Sequence, residues 1–299
     1  MLYNNLSGYF RKKYGRRLGK ICIDGGFSCP NRDGTCGFGG CIFCGERGAG
    51  EHIDATLSIK EQVASALQNA SPDEKFVAYF QNFTNTYADV ATLKERYDAA
   101  LTDERIAVLA IGTRPDCIDE EKAELIASYR EGREVWVELG LQSASDKTAK
   151  IINRGYKTEV FEKACRILNS AGVKVVAHVI IGLPDEGMEE VKKTVDFLTR
   201  LPIWGLKIHS IYVMEGTRLA DMYERGEYTP PSLEEYTEAA VYVLSHVPKD
   251  VVIHRLTGDC PKDMLLAPEW NADKHAVIDA VNKKMKERGL SQGSLYAFR

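Results

Sequence analysis

Six short runs rich in β-branched and aromatic residues alternate along the chain with five longer amphipathic stretches, and this alternation limits the folds open to it. The short runs are KICID (20–24), FVAYF (76–80), IAVLAIG (106–112), EVWVELG (134–140), VKVVAHVIIG (173–182) and LKIHSIY (206–212). The longer stretches lie near 58–70, 89–101, 119–130, 158–171 and 187–200, with apolar residues at i, i+3 and i+4 spacing, as in Val160, Ala164, Ile167 and Leu168; that period predicts helices. Strand and helix in strict alternation require right-handed crossovers, and hence a parallel sheet that is either doubly wound or curled into a barrel. Past residue 213 the pattern changes to a loop with Pro230 and Pro231, a helix near 232–246, a strand at 251–256 and a helix near 273–288. The expected division is an N-terminal arm (1–19), an α/β barrel region (20–213) and a short α+β extension (214–299).

The 299 residues, 44% hydrophobic and 27% charged, contain no apolar stretch of the roughly eighteen residues needed to span a bilayer. The opening MLYNNLSGYFRKKYGRR has basic residues but no apolar core, unlike a secretory signal. The expected location is the cytoplasm, with no membrane partner. A net charge of −4 disfavours a protein that coats nucleic acid indiscriminately. It leaves room for a local patch: Arg11, Lys12, Lys13, Arg16, Arg17 and Lys20 are interleaved with Tyr3, Tyr9, Phe10 and Tyr14, either as an RNA-contacting arm or as a solvated turn.

Five of the eight cysteines, Cys22, Cys29, Cys36, Cys41 and Cys44, fall in one stretch, whereas Cys117, Cys165 and Cys260 are scattered and read as buried thiols. After the first strand the chain reads GGFSCPNRDGTCGFGGCIFC, with six glycines within 25–40 that let backbone amides approach a bulky anionic centre. Cys41-x2-Cys44 presents two thiolates from one turn, and Cys29 lies eleven intervening residues upstream. Three thiolates hold three irons of a [4Fe–4S] cluster and leave the fourth open. Cys36-x4-Cys41-x2-Cys44 also fits a plant-type [2Fe–2S] centre, and four cysteines close a structural zinc site, so spacing leaves these readings open. The loop follows the first strand of a βα series, at the catalytic face of a barrel.

Taken together, GGFSCPNRDGT, GGCIFC, GTRPDC (112–117), WVELGLQS (136–143), INRGY (152–156), HVIIGLP (178–184) and LKIH (206–209) resemble the bacterial radical S-adenosylmethionine (SAM) family related to the Elongator catalytic subunit and to oxygen-independent coproporphyrinogen oxidase. The likeness covers nearly the whole chain. It implies a partial (β/α)6 barrel with SAM across the top of the strands, cluster ligands Cys29, Cys41 and Cys44, and a free Cys36.

The same resemblance implies roles for other side chains. Glu138 and Gln142 correspond to the polar pair that meets the ribose hydroxyls or the amino group of SAM, Arg154 to the cation at the methionyl carboxylate, and Gly182 and Leu183 to backbone beside adenine; Phe43 joins this set. On the residues alone, a buried ion pair is the alternative reading of Glu138 and a strand terminator that of Gly182. Many relatives carry Gly-Gly-Glu after the second strand, where this chain has FQNFTNTY (80–87), so Gln81 or Asn82 stands in for it. His178, His209 and His254 lie in strand patterns; His209, at a strand end, is with Glu138 the candidate for a catalytic group.

The implied chemistry is reductive cleavage of SAM to methionine and a 5′-deoxyadenosyl radical that abstracts hydrogen from a substrate, with an electron donor such as flavodoxin or ferredoxin. The resemblance further implies a tRNA substrate, since this branch looks like the Gram-positive enzyme that trims 5-carboxymethylaminomethyl-uridine at the wobble position to the aminomethyl form. The basic N-terminus and the run Lys283, Lys284, Lys286 and Arg288 read as phosphate contacts or as solvated faces. A small-molecule or tetrapyrrole substrate, and a closed metal-binding module, remain the alternatives.

Overall fold

The computed structural model of the protein describes residues 2–48 and 53–297. The six expected strands are β1 (Gly19–Asp24), β2 (Phe76–Gln81), β3 (Ile106–Thr113), β4 (Glu134–Gln142), β5 (Lys174–Ile181) and β6 (Gly205–Ser210). A two-residue strand β7 (Val213–Met214) follows, then β8 (Val252–Arg255) and β9 (Leu265–Ala267). The main sheet has seven strands in the order β1-β2-β3-β4-β5-β6-β8, every neighbour parallel, with β1 and β8 as its two edges. This is a curled, open partial barrel. It has one strand more than expected, because β8 pairs with β6 through Gly205–Val252 and Leu206–Ile253. The C-terminal segment thus contributes to the main sheet.

The helices are α1 (Leu6–Tyr14), α2 (Ile59–Leu67), α3 (Val90–Ala100), α4 (Glu120–Ser128), α5 (Asp146–Ile151), α6 (Thr158–Ser170), α7 (Met188–Leu198), α8 (Arg218–Glu224), α9 (Leu233–His246) and α10 (Lys274–Glu287). Among the described residues no helix is long and apolar enough to cross a membrane. Their starts follow from local chemistry. The Asp89 side chain accepts from Thr92 N–H ahead of α3, and Ser232 and Glu235 form a capping box on α9. The outward residues of the strands, among them Phe80, Leu109, Ile111, Val137, Leu139, Val175 and Leu206, form one core with Leu93, Tyr97, Ile126, Phe161, Leu168, Val195 and Leu244 of the surrounding helices.

A smaller cluster fills the inside of the barrel: Val77, Tyr79, Val108, Ala110, Trp136 and Val176 close over Phe10 of α1. This helix caps the N-terminal end of the strands. Its Tyr9 and Tyr14 hydroxyls and Lys13 ammonium donate to Glu134, the first residue of β4, at 2.5, 2.9 and 2.8 Å. A third cluster, including Ile42, Ile152, Leu183, Ile211, Leu219 and Tyr228, lies among segments at the opposite end.

Candidate active site

A cavity opens at the C-terminal ends of the strands. Its walls include Cys29, Cys41, Phe43 and Cys44 from the loop after β1, Gln81, Asn82 and Thr84 from the end of β2, Arg114 after β3, and Glu138 and Gln142 of β4; His178 and His209 complete it from β5 and β6. Nine expected site residues therefore meet: the three cysteines, Phe43, Gln81, Asn82, Glu138, Gln142 and His209. Cys36 is exposed and lies off this wall.

The cysteine loop is built from its own backbone. Arg32 N–H donates to Cys29 C=O at 2.8 Å and Cys44 N–H to Cys41 C=O at 3.1 Å, while Gly40 N–H donates to Asn31 C=O at 2.8 Å. Arg32 extends across the loop to the carbonyls of Cys44, Gly45 and Glu46. The Cys44 thiol is held below its ordinary value by the hydrogen bond from Cys41 first, then, against the effect of burial, by the charges of Arg32 and Arg114. The same Cys41–Cys44 bond, followed by burial, pushes Cys41 well above its ordinary value. Of the pair, Cys44 is the thiol that ionises more readily, and the two arginines give the loop an electropositive setting suited to thiolate ligands.

Irregular backbone collects at the mouth. Asn82, Phe83 and Gln142 have φ of 66, 50 and 64°, in the left-handed region. At β4 the ladder to β5 shifts register between Gly140 and Gln142. A methyl group on Gly140 would lie 2.8 Å from Gln142 Nε2, so the glycine leaves the space into which Gln142 folds. Asn82 donates to Asp24 at 2.8 Å. The Asn82 Oδ1, Thr84 Oγ1 and His209 Nε2 atoms, all on residues of the cavity wall, are buried without a protein partner. Such orphans suit a polar ligand.

The floor is ionic. Glu138 is 3% exposed and accepts from Lys207, from Trp136 Nε1 at 3.0 Å and pairs with His178 Nε2 at 2.9 Å. Burial alone would raise its pKa, but the Lys207 charge and the His178 bond hold it well below the usual range. Glu138 is therefore the buried ion pair that its setting in VWVELG allowed, with its outward oxygen shell already filled by protein. Lys207 is drawn down to about 8 by burial, against the Glu138 charge. Burial keeps His178 and, more strongly, His209 below the ordinary imidazole value, so both are neutral near pH 7. His254 packs edge-on against Trp136 and Trp204 and belongs to the interior.

Three expected cofactor contacts are placed elsewhere. Arg154 is 0% exposed, donates to the carbonyls of Leu141, Ser143 and Tyr156 and to Thr158 Oγ1, and faces the Asp146 carboxylate at 3.6 Å, so its guanidinium is engaged by protein off the cavity wall. The Gly182 carbonyl accepts from the Tyr228 hydroxyl, and Leu183 is packed in the apolar cluster over the strand ends. Neither lines the cavity. Conversely Arg114, Thr84, Tyr156 and Tyr212 line it without having been anticipated. Arg114 sits in GTRPDC, where an arginine directly after a strand was the available signal; its guanidinium bonds Asp116 at 2.9 and 2.6 Å and stacks on Tyr156 at 4.8 Å.

The RNA-contact reading of the charged segments also changes. α1 lies beneath the barrel, at the end opposite the cavity, with Lys13 bound to Glu134. Lys284 of α10 is paired with Glu234 and Glu238, and Arg288, just past the helix, with Glu238.

With these features in place, comparison with known proteins decides the family. The sequence profile of the Radical SAM superfamily matches residues 33–198, and that of the Radical_SAM C-terminal domain matches residues 203–287. The chain belongs to the radical SAM superfamily. It is an enzyme of that class, and its cofactors are a [4Fe–4S] cluster and SAM. It is 34% identical over 298 residues to the uncharacterized protein YtqA of Bacillus subtilis, covering 98% of this chain and 92% of YtqA. Over 193 residues it is 32% identical to a tRNA uridine(34) acetyltransferase of Methanocaldococcus infernus, covering 62% of this chain and 34% of that protein. The solved structure of archaeal Methanocaldococcus infernus Elp3 with an N-terminal deletion shares the fold, with a TM-score of 0.71 at 22% identity over 92% of this chain and 64% of that one.

The cavity fits the cluster. Three cysteines share one wall, with Arg32 and Arg114 beside them. Among the described residues no three His, Cys, Asp or Glu side chains converge tightly enough for a single metal ion, whereas a cube spreads three cysteines over three irons.

Proposed function

We propose that Cys29, Cys41 and Cys44 ligate the cluster, that Phe43, Gln81, Asn82 and Gln142 enclose SAM, and that the substrate is a tRNA wobble uridine. The meeting of the three cysteines in one cavity at the C-terminal ends of the strands carries the ligand assignment. When bound, cluster and SAM together supply a 5′-deoxyadenosyl radical for hydrogen abstraction, with the electron delivered by a flavodoxin or ferredoxin in the cytoplasm. The chain's own residues bind and shield. Arg32 and Arg114 offset thiolate charge, and Ile180, Ile211 and Tyr212 narrow the cavity against water. Neutral His209, with Nε2 unpartnered, offers one hydrogen bond at the floor, beside a Glu138 whose charge Lys207 already balances.

The tRNA reading is supported by the similarity to the tRNA uridine(34) acetyltransferase, whose name places its action at the wobble position. Within that class, the reaction proposed is trimming of 5-carboxymethylaminomethyl-uridine to the aminomethyl form: hydrogen abstraction from the carboxymethyl methylene and loss of a second electron, with SAM as the net two-electron oxidant, leave an imine whose C–N bond water cleaves, releasing the amine and glyoxylate. Mass spectrometry of tRNA nucleosides from cells with and without the gene tests it. Loss of the gene is expected to leave the carboxymethylaminomethyl form in place of its aminomethyl product, and an unchanged profile rejects the tRNA substrate.

A further inference from the structure

Asn31 lies between the cysteine loop and the turn after α5, and is 1% exposed. Its Nδ2 donates to Asn153 C=O at 2.6 Å, which fixes the amide's orientation, and the same nitrogen lies 4.0 Å from Cys41 Sγ. The other end of the amide, Oδ1, is buried without a partner. Two glycines make room for it: a methyl group on Gly37 would stand 2.5 Å from Oδ1, and one on Gly155 2.9 Å from it and 3.3 Å from an Arg114 nitrogen. The chain therefore keeps two positions bare to hold one carboxamide against a cysteine sulfur, with a guanidinium behind it.

Reduction potentials of iron–sulfur clusters depend on hydrogen bonds to the cysteine sulfurs, because an N–H donor stabilises the more negative reduced state. Resting on the assignment of Cys41 as a ligand, we propose that Asn31 is a positioning residue that raises the reduction potential of the cluster through an N–H···S bond to Cys41. The second hydrogen of its amide tethers it to Asn153 C=O, so the donor is aimed before the cluster is present.

The test separates this role from that of a structural tie. Asn153→Gly loosens the same junction by deleting the bonds from Asn153 Nδ2 to the Phe38 and Gly40 carbonyls, while keeping the backbone carbonyl that receives Asn31; its φ of 52° suits glycine. Anaerobically reconstituted parent, Asn31→Ala and Asn153→Gly are titrated with dithionite through redox mediators, following the electron paramagnetic resonance of the reduced cluster, with iron per chain measured alongside. Asn31→Ala is expected to be at least tenfold harder to reduce, a shift of about 59 mV or more to negative potential for one electron, while Asn153→Gly titrates like the parent. Equal potentials in all three proteins, or equal shifts in both variants, overturn the proposal. Asn31→Ser, whose shorter hydroxyl falls short of Cys41 but keeps a polar group in the junction, carries the same expectation should Asn31→Ala bind no iron. Iron loss from both Asn31 variants would make Asn31 a structural residue only. A parent without a [4Fe–4S] spectrum instead rejects the ligand assignment beneath the proposal.

Discussion

The charged hub under the barrel yields a stability prediction with a definite sign. Glu134, its side chain 2% exposed, accepts hydrogen bonds from the hydroxyls of Tyr9 and Tyr14 and from the ammonium groups of Lys13 and Lys174. Burial would raise its pKa, but the bonds from Lys13, Lys174 and Tyr9 outweigh that and bring it from 4.5 to about 2. A carboxylate whose folded value is depressed contributes stability in full above the unfolded value, and loses it as pH falls from there through the folded value. Two to three pKa units correspond to roughly 3 kcal/mol. Lys13 and Lys174 are 43% and 32% exposed, so solvent screening lowers the expected net effect to about 2 kcal/mol. Glu134→Gln should therefore cost about 2 kcal/mol at pH 7, and the gap to the parent should narrow as pH drops below about 4.5. Urea unfolding of both apoproteins, followed by circular dichroism across that range, measures it. A gap that stays constant with pH would refute the electrostatic account and leave altered packing as the cause.

Cys41→Ala is predicted to abolish the visible iron–sulfur absorption of anaerobically reconstituted protein, whereas Cys36→Ala, on an exposed turn off the cavity wall, retains it; cluster loss in the Cys36 variant would reassign the ligands. Phe10→Ala should destabilise the fold by about 3–5 kcal/mol in urea titrations, because Phe10 is 5% exposed in the aromatic plug with Trp136 and Tyr14. A cost near zero would mean that α1 is not part of the folded unit. Gly182→Ala should lose about 1–3 kcal/mol, since φ is +95° and the new methyl would stand 2.6 Å from Pro231; an unchanged unfolding midpoint would show that this corner relaxes freely.

Local periodicity and cysteine spacing were enough to place the seven strands of the main sheet, the outer helices and the cysteine loop, but not the short β7–β9 pair. α1 was not legible in this way. LSGYFRKKY reads as a basic, solvated arm, because its single buried side chain, Phe10, finds its partners only once five strands have closed beneath them. Arg154 misled for a related reason. An arginine in a glycine-containing turn reads as an anion site, but the carbonyls that occupy it, those of Leu141 and Ser143, flank the left-handed Gln142, a backbone feature without a local sequence signature. Lys207 went unremarked although it stands between apolar neighbours in LKIH, where an unbalanced charge within a strand calls for a buried partner.

The make-up of the cavity follows from strand parity. Successive side chains of a strand alternate between faces, and the helices on the outside claim Ala78 and Phe80, Leu109 and Ile111, Val137 and Leu139, Ala177 and Val179, and Leu206 and Ile208. That choice forces Tyr79, Gly112, Glu138, His178 and His209 inward, where all five line the cavity. A slip of one residue in any strand would exchange a cavity residue for a core residue, so the apolar exterior enforces the polar interior. Parity fails just past the end of β2, where Asn82, outward by alternation after Ala78 and Phe80, turns left-handed and joins the cavity wall. The inward layers also differ in purpose. The aromatic plug stabilises the barrel, whereas the Glu138–Lys207 pair above it is costly to bury and contributes little stability by comparison with an apolar pair of similar volume. Its retention directly under the cavity is intelligible as the means of keeping that floor polar, hydrogen-bonded and close to neutral beneath two uncharged imidazoles.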